Sequence, residues 1–280
     1  MSFDKLRGQW RYLASRPDFQ KAPLRILARL FFWRLHCVLK KSAQIRIPKL
    51  DSSFFLPPNW HGPSKIIYVF RDQCEPEIEV LAKFLGPGKT MIDVGASYGI
   101  FTLASAHLVG SQGTVLAFEP AQATFRVLER NLAINHSPKV NAMRMALSDK
   151  PGKMRLYHDA DPSRNSLAQA GASQDYEEVE VRTLDSVVQD LGLSRIDFIK
   201  IDAEGADELV CRGASEILKK YRPPIFFEEN RGAVSHLGLE RRGTAAFLAS
   251  LGYDFHILHD GEIVKSGNIT AGNILALHQG

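Results

Sequence analysis

One stretch constrains this chain more than any other: Thr90-Met-Ile-Asp-Val-Gly95-Ala-Ser-Tyr-Gly-Ile-Phe-Thr102, a short apolar run that stops at a glycine and resumes with helical spacing. The pattern predicts a strand over Thr90–Val94, a turn at Gly95, and a helix from near Tyr98 or Gly99 to about Leu108. A strand that passes into a helix within a few residues opens a doubly wound α/β sheet, in which ligands bind beyond the carboxyl ends of the strands. Two common ligands are excluded here. A dinucleotide fingerprint needs glycine at three positions, which here hold Gly95, Ser97 and Ile100. A phosphate-binding P-loop needs Gly-Lys-Ser or Gly-Lys-Thr after a strand, and no such tripeptide follows the strand: Gly88-Lys89-Thr90 lies ahead of it.

The next strand is predicted over Gly113 to Phe118, and Glu119 closes it 26 residues after Asp93, one strand-helix-strand unit later. A carboxylate at that tip accepts both hydroxyls of a ribose. Glu119 would serve NAD equally well, and the missing glycines separate the two cases. A carboxylate at Asp93 and open backbone at Gly95 and Gly99 suit a ligand with an amino-acid zwitterion and no phosphate, which points to S-adenosylmethionine. Read structurally instead, Asp93 would be a turn or capping residue and Glu119 a solvated strand end.

At this point the residues resemble a family. MIDVGASYGIFT, AFEP (117–120), ALSDKPG (146–152), VRTLDSV (181–187), FIKIDAEGADELVCRGA (198–214) and PPIFFEEN (223–230) together are similar to the FkbM family of S-adenosylmethionine-dependent methyltransferases, over roughly residues 75 to 260. The run Lys200-Ile-Asp-Ala-Glu-Gly205 is the most specific piece. The resemblance implies a Rossmann-like class I methyltransferase fold: a mostly parallel seven-stranded sheet with helices on both faces. It implies cofactor contacts at Asp93, Gly95, Ala96, Ser97, Tyr98, Gly99, Glu119, Pro120 and Ala146. Ser97 departs from the family, which more often has Asn there.

The remaining pattern alternates as such a fold requires. A helix is predicted over Ala121 to Asn135, a third strand over Val140 to Met145, and an inserted strand pair at Lys153 to Tyr157 and Glu177 to Arg182. Strand four is placed at Ile196 to Ile201, a helix at Ala206 to Lys219, and strand five at Pro224 to Phe227. A helix over Glu240 to Leu251 and a closing pair, Tyr253 to Leu258 with Ile274 to Leu277, complete the domain. Strand ends then gather Asp202, Glu204, Glu228 and Glu229. Methylation of an alcohol needs alignment and removal of a hydroxyl proton. Asp202 is the first choice of base, with Lys200 on the same strand face to orient it and Glu228 as a neighbouring carboxylate. An equally simple reading makes Asp202 and Glu204 favourable charges at the start of the next helix. In the polar loop Asp159 to Gln174, the resemblance marks Arg164, Asn165 and Ser166 as acceptor contacts, with Glu204 also assigned to the acceptor; a solvated loop is the equally simple reading. Fold analogy with catechol-type methyltransferases would make Asp202, Glu229 and Asn230 magnesium ligands; no metal is assigned. His61, His158 and His236 have no partner spacing.

Charge divides the chain. Residues 1 to 50 hold twelve Lys and Arg against Asp4 and Asp18, whereas the whole carries +4, so the remainder is about six negative. Residues 1–60 are therefore read as a basic, helical N-terminal arm and 61–280 as the methyltransferase domain. In the arm, Leu24, Leu27, Phe31, Leu35 and Val38 share one helical face, and Arg25, Arg29, His36 and Lys40 the other. Residues 21–41 could lie on an anionic membrane, or pack on the catalytic domain or on a second subunit as a homodimer. No aromatic-basic interleaving points to nucleic acid. Cys37, Cys74 and Cys211 lack metal spacing and read as reduced thiols. With no N-terminal signal evident, the expected location is cytoplasmic, at the inner face of a membrane if the arm binds one. The expected activity is O-methylation of a glycan, glycolipid or polyketide-like hydroxyl. The alternative is an inactive cofactor-binding scaffold that docks through its arm.

Overall fold

Proline opens two helices of the arm, Pro17–Lys21 and Pro23–Val38, at first-turn positions where its missing N–H leaves no bond unmade. The computed structural model describes residues 13–280 apart from 15, 138, 160, 163–164, 168–174, 230–238, 240–241, 260 and 267–271. Beyond Val38 the arm leaves the α-helix, with only a 3₁₀ turn at Pro48–Leu50. It forms an antiparallel hairpin, β1 (Ala43–Ile47) and β2 (Ser52–Leu56), in which Ile45, Ile47, Phe54 and Leu56 alternate inward. They join Ile26 and Trp33 in a buried cluster that also contains Met91, Val115, Phe198, Phe226 and Leu275. The arm and the sheet thus share one core.

The outer edge of β2 would present unpaired amides. The helix Gln122–Ile134 and the residue after it supply the partners: Ser53 N–H donates to Asn135 Oδ1 and Phe55 N–H to Asn131 Oδ1, each at 2.7 Å. Asn131 also donates to the Tyr98 carbonyl at 2.9 Å. One buried side chain therefore ties the hairpin to the loop after the next strand.

That strand, β3 (Thr90–Val94), is followed by β4 (Thr114–Phe118) and β5 (Val140–Met143). A small separate sheet comes next: β6 (Ala146–Leu147), β7 (Gly152–Tyr157) and β8 (Tyr176–Arg182). The main sheet resumes with β9 (Phe198–Ile201), β10 (Ile225–Glu229), β11 (Tyr253–His259), β12 (Glu262–Lys265) and β13 (Gly272–His278). Its order is β12-β11-β13-β10-β9-β3-β4-β5, parallel from β10 to β5 and antiparallel beyond. Seven of these strands are those expected, and the eighth, β12, is an edge strand folded back on β11. The inserted pair is present as β7 and β8, with β6 added alongside.

Apart from Asp93 and Lys200 near their carboxyl ends, the central strands β3 and β9 are largely apolar because both sheet faces are covered. Met91, Phe198, Phe226 and Leu275 point to the arm side, while Ile92, Ile199, Phe227 and Ile274 point to a second core holding Leu184, Val210 and Leu248. The single helix expected over Ala206 to Lys219 is two, Asp207–Arg212 and Ser215–Tyr221. A Cβ at Gly213 would lie 2.0 Å from the Ser148 carbonyl oxygen. The second helix then starts afresh, its Glu216 and Ile217 amides accepted by the Asp185 carboxylate at 3.0 Å. Among the described residues no helix is long and apolar enough to cross a membrane.

Candidate cofactor and catalytic site

The β3–β9 register sets Asp93 directly beside Lys200. Both point to the arm side near the carboxyl ends of their strands, and both are buried. Lys200 Nζ lies 3.6 Å from Asp93 Oδ1 and 3.5 Å from Asp202 Oδ2, and it donates to the Gly95 carbonyl at 2.8 Å and the Val94 carbonyl at 3.3 Å. Thr102 Oγ1 donates to Asp93 Oδ2 at 2.5 Å. Burial draws the ammonium pKa down, but Asp202, Asp93, Glu75 and Asp207 outweigh it and hold Lys200 above its ordinary range. Burial dominates at Asp93 and raises its carboxyl despite Lys200 and Thr102.

The two strand-tip loops touch. Gly95 has φ 75°, and a Cβ there would stand 1.9 Å from the Asp202 carbonyl oxygen. Gly95 and Ala96 both donate to the Phe118 carbonyl at 2.9 Å, and Asp202 N–H donates to Val94 at 3.0 Å. The turn at 95–99 is thus held from β4 and β9 at once. Glu119 completes it: one carboxylate oxygen accepts the Ser97 amide and the other the Ala121 amide, each at 3.0 Å. Burial pushes the Glu119 carboxyl up to about 7 against the pull of those amides.

Around this turn lies a cavity of about 270 Å³, near the lower bound for small-molecule sites. Of the sequence-predicted residues, Gly95, Ala96, Ser97, Tyr98, Glu119, Pro120, Ala146, Asn165, Lys200, Asp202 and Glu204 line it. Asp93 and Gly99 stand behind the wall, Asp93 against Lys200 and Gly99 against Leu128. Ser166 is buried and donates to the Glu204 carbonyl at 2.9 Å, tying two loops together. Asn165 Oδ1 accepts the Asp159 amide. Glu228 does not line the cavity; its carboxyl is raised by burial and by Asp202. Arg164, Asn230 and His236 lie outside the described residues. Among the described residues no group of three or more His, Cys, Asp or Glu is arranged to hold a metal ion.

Sequence reasoning missed Glu75. It lines the cavity beside Lys200 and Asp202, brought there by the segment that precedes β3. In sequence it is one carboxylate of a Glu-Pro-Glu-Ile-Glu run, and no spacing marks it.

The sheet order and the strand-tip cavity define a Rossmann-like methyltransferase fold. Residues 93–255 match the methyltransferase FkbM domain, more than half of the chain, and the chain belongs to that family. It is 32% identical over 157 residues to methyltransferase sdnD of Sordaria araneosa, covering 45% of this chain and 60% of that protein. It is also 32% identical over 146 residues to methyltransferase 1 of Beauveria bassiana, covering 45% and 58%. The chain therefore spans about three-fifths of the length of these relatives. A part of the AMB antimetabolite synthetase AmbE of Pseudomonas aeruginosa, 8% of it, is 30% identical over 169 residues, 47% of this chain. Among solved structures, a methyltransferase FkbM from Methylobacillus flagellatus aligns with TM-score 0.46 at 15% identity, covering 77% of this chain and 53% of that one.

The family's cofactor is S-adenosylmethionine, and the residues present fit it. Each Glu119 oxygen keeps one lone pair after accepting its amide, enough for a ribose diol. The Ser97 hydroxyl is buried with no hydrogen-bond partner. Asp202 Oδ1 is likewise buried without one in the cavity wall, whereas Asp93 Oδ1 lies behind the wall facing Lys200.

Replacing Lys200 with Met removes the ammonium from a set of buried carboxylates, at a cost of roughly 3–5 kcal/mol at pH 8. Burial already raises the Asp93 carboxyl in the wild type and it rises further without Lys200, so the extra penalty accrues as pH climbs above the wild-type folded value. Urea unfolding is expected to show a smaller deficit at pH 5 than at pH 8. Equal deficits at both pH values would contradict this charge balance.

Proposed function

We propose that the protein is an S-adenosylmethionine-dependent O-methyltransferase acting on a hydroxyl of a glycan, glycolipid or polyketide-like natural product. One observation carries this reading: the Asp202–Lys200 pair stands in the wall of the same cavity as Glu119 and the Gly95–Tyr98 turn. When bound, the cofactor supplies a methyl group activated on a sulfonium. Glu119 would hold the ribose and the turn at 95–98 the amino-acid end. Asp202 offers a carboxylate oxygen with no protein partner, suited to accept a hydroxyl proton. Lys200, held by two carbonyls, fixes that carboxylate in place. Glu228 acts on Asp202 through its charge alone. Asn165 and Glu204, with Ser166 binding the two loops together, form the rim over which the acceptor enters. The match to part of an antimetabolite synthetase supports a natural-product acceptor.

Residues 1–60 we assign as an accessory element that docks peripherally on an anionic membrane. The observation here is a bare apolar face: Leu24 is 81% exposed, Phe31 67% and Val38 65%, with Leu27, Phe32, Leu35 and Leu39 also exposed. The helix turns Ile26 and Trp33 into the core instead. Exposed Lys21, Arg25, Arg34, Lys40 and Lys41 flank the bare face. Apolar side chains ringed by cations match the boundary between acyl chains and acidic headgroups. An inactive scaffold would use the same face, so turnover separates the two readings. Pairing of two such faces in a homodimer is the competing use of the surface.

Three measurements test these assignments. Glu119→Ala is expected to weaken S-adenosylmethionine binding tenfold or more, about 1.4 kcal/mol, in calorimetric titration. Asp202→Asn is expected to keep that binding and lose methyl transfer to an acceptor found by screening; full activity would remove Asp202 from the mechanism. In flotation with phosphatidylglycerol vesicles at low salt, the protein should rise with the lipid and Phe31→Glu should not. Wild type that stays with the soluble fraction would end the membrane assignment.

A further inference from the structure

Glu75 sits immediately before Pro76, at the start of the short 3₁₀ turn Pro76–Val80, where an acidic side chain would ordinarily cap the free amides. It makes no capping bond. Nor does any hydrogen bond or ion pair among the described residues take up its carboxylate; instead it lines the cavity with Lys200, Asp202 and Gly95. Lys200 is already committed to the Gly95 and Val94 carbonyls and stands between Asp93 and Asp202. Arg16, the other cation acting on Glu75, donates to Asp18 and to the Gln73 carbonyl. At this end of the cavity, carboxylates outnumber the cations that face them.

We infer that Glu75 makes this end of the cavity a cation-selective subsite, and that it sets the preference of the site for a charged sulfonium donor over its neutral thioether product. The inference rests on the cofactor reading above. Methyl transfer breaks the carbon–sulfur bond, leaves the electron pair on sulfur and removes the positive charge. A carboxylate without a protein partner attracts the charged form and loses that attraction when the charge is gone. Exchange of product for fresh donor then follows from charge.

The charged groups facing Glu75 are Glu77 on its own segment, Lys200 and Asp202 from the tip of β9, and Arg16 from the arm. Burial, followed by Glu77, pushes its carboxyl up to about 7. The adjacent Cys74 thiol, pushed up to about 12 mainly by burial, stays neutral. Glu75 therefore gains its charge as pH rises through neutrality, and selection for a cation should strengthen over the same range.

The test is calorimetric titration of S-adenosylmethionine and S-adenosylhomocysteine into the full chain and into Glu75→Gln at pH 6.0 and 7.5. The quantity read is the ratio of the two affinities. Glu119 also titrates near neutrality, but it would face the ribose common to both ligands and drops out of the ratio. In wild type the ratio in favour of the sulfonium should rise about threefold or more between the two pH values. In Glu75→Gln it should fall about fivefold or more at pH 7.5 and become independent of pH, whereas Glu75→Asp should keep a pH dependence. A flat wild-type ratio overturns the inference whether or not the variants fold, as does an unchanged ratio in Glu75→Gln. If wild type binds neither ligand at either pH, the cofactor reading itself fails and takes this inference with it.

Discussion

The contact on which the rest depends is the pairing of Asp93 with Lys200 across two adjacent parallel strands. Register places them side by side, burial strips both of water, and neither would be tolerated there without the other. Because Lys200 also donates to the carbonyls of Val94 and Gly95, the charge pair fixes the course of the chain as it leaves β3. The approach of Gly95 to Asp202 follows from that course, since both residues leave neighbouring strand ends at the same height. A positioned turn then presents its amides to Glu119, and the cavity is the space left beside it.

How much of this was legible in the sequence depended on how local the determinant was. The strand-glycine-helix run at 90–102, the acidic end of β4 and the Lys200-to-Gly205 run are local, and each sits where its pattern placed it. The period-two switch between faces is visible only once the strands are aligned, because a strand buried on both sides shows no polar rhythm. The break between the helices Asp207–Arg212 and Ser215–Tyr221 was invisible, since its causes are the distant Ser148 carbonyl and Asp185 carboxylate. Glu75 was missed for the same reason: tertiary approach, not spacing, brings it to the cavity.

The arm shows a different limit. Its apolar residues were read as one face, and that face exists, but the core takes the other one, through Ile26 and Trp33. A helix with apolar residues on two sides has no single amphipathic reading, so sequence periodicity could not decide which side packs. The hairpin that follows was hidden within a segment read as helical. Its burial with Met91 and Phe198 makes the arm structurally continuous with the sheet. We propose that this continuity lets a surface-docked arm hold the cavity at a fixed attitude to the membrane.

A crystal structure of the protein with S-adenosylhomocysteine tests the central claim most directly. The account predicts the ribose hydroxyls within hydrogen-bonding distance of both Glu119 oxygens and the amino-acid end beside the Gly95–Tyr98 turn and Asp202. A ligand bound elsewhere, or a ribose that makes no contact with Glu119, would contradict it.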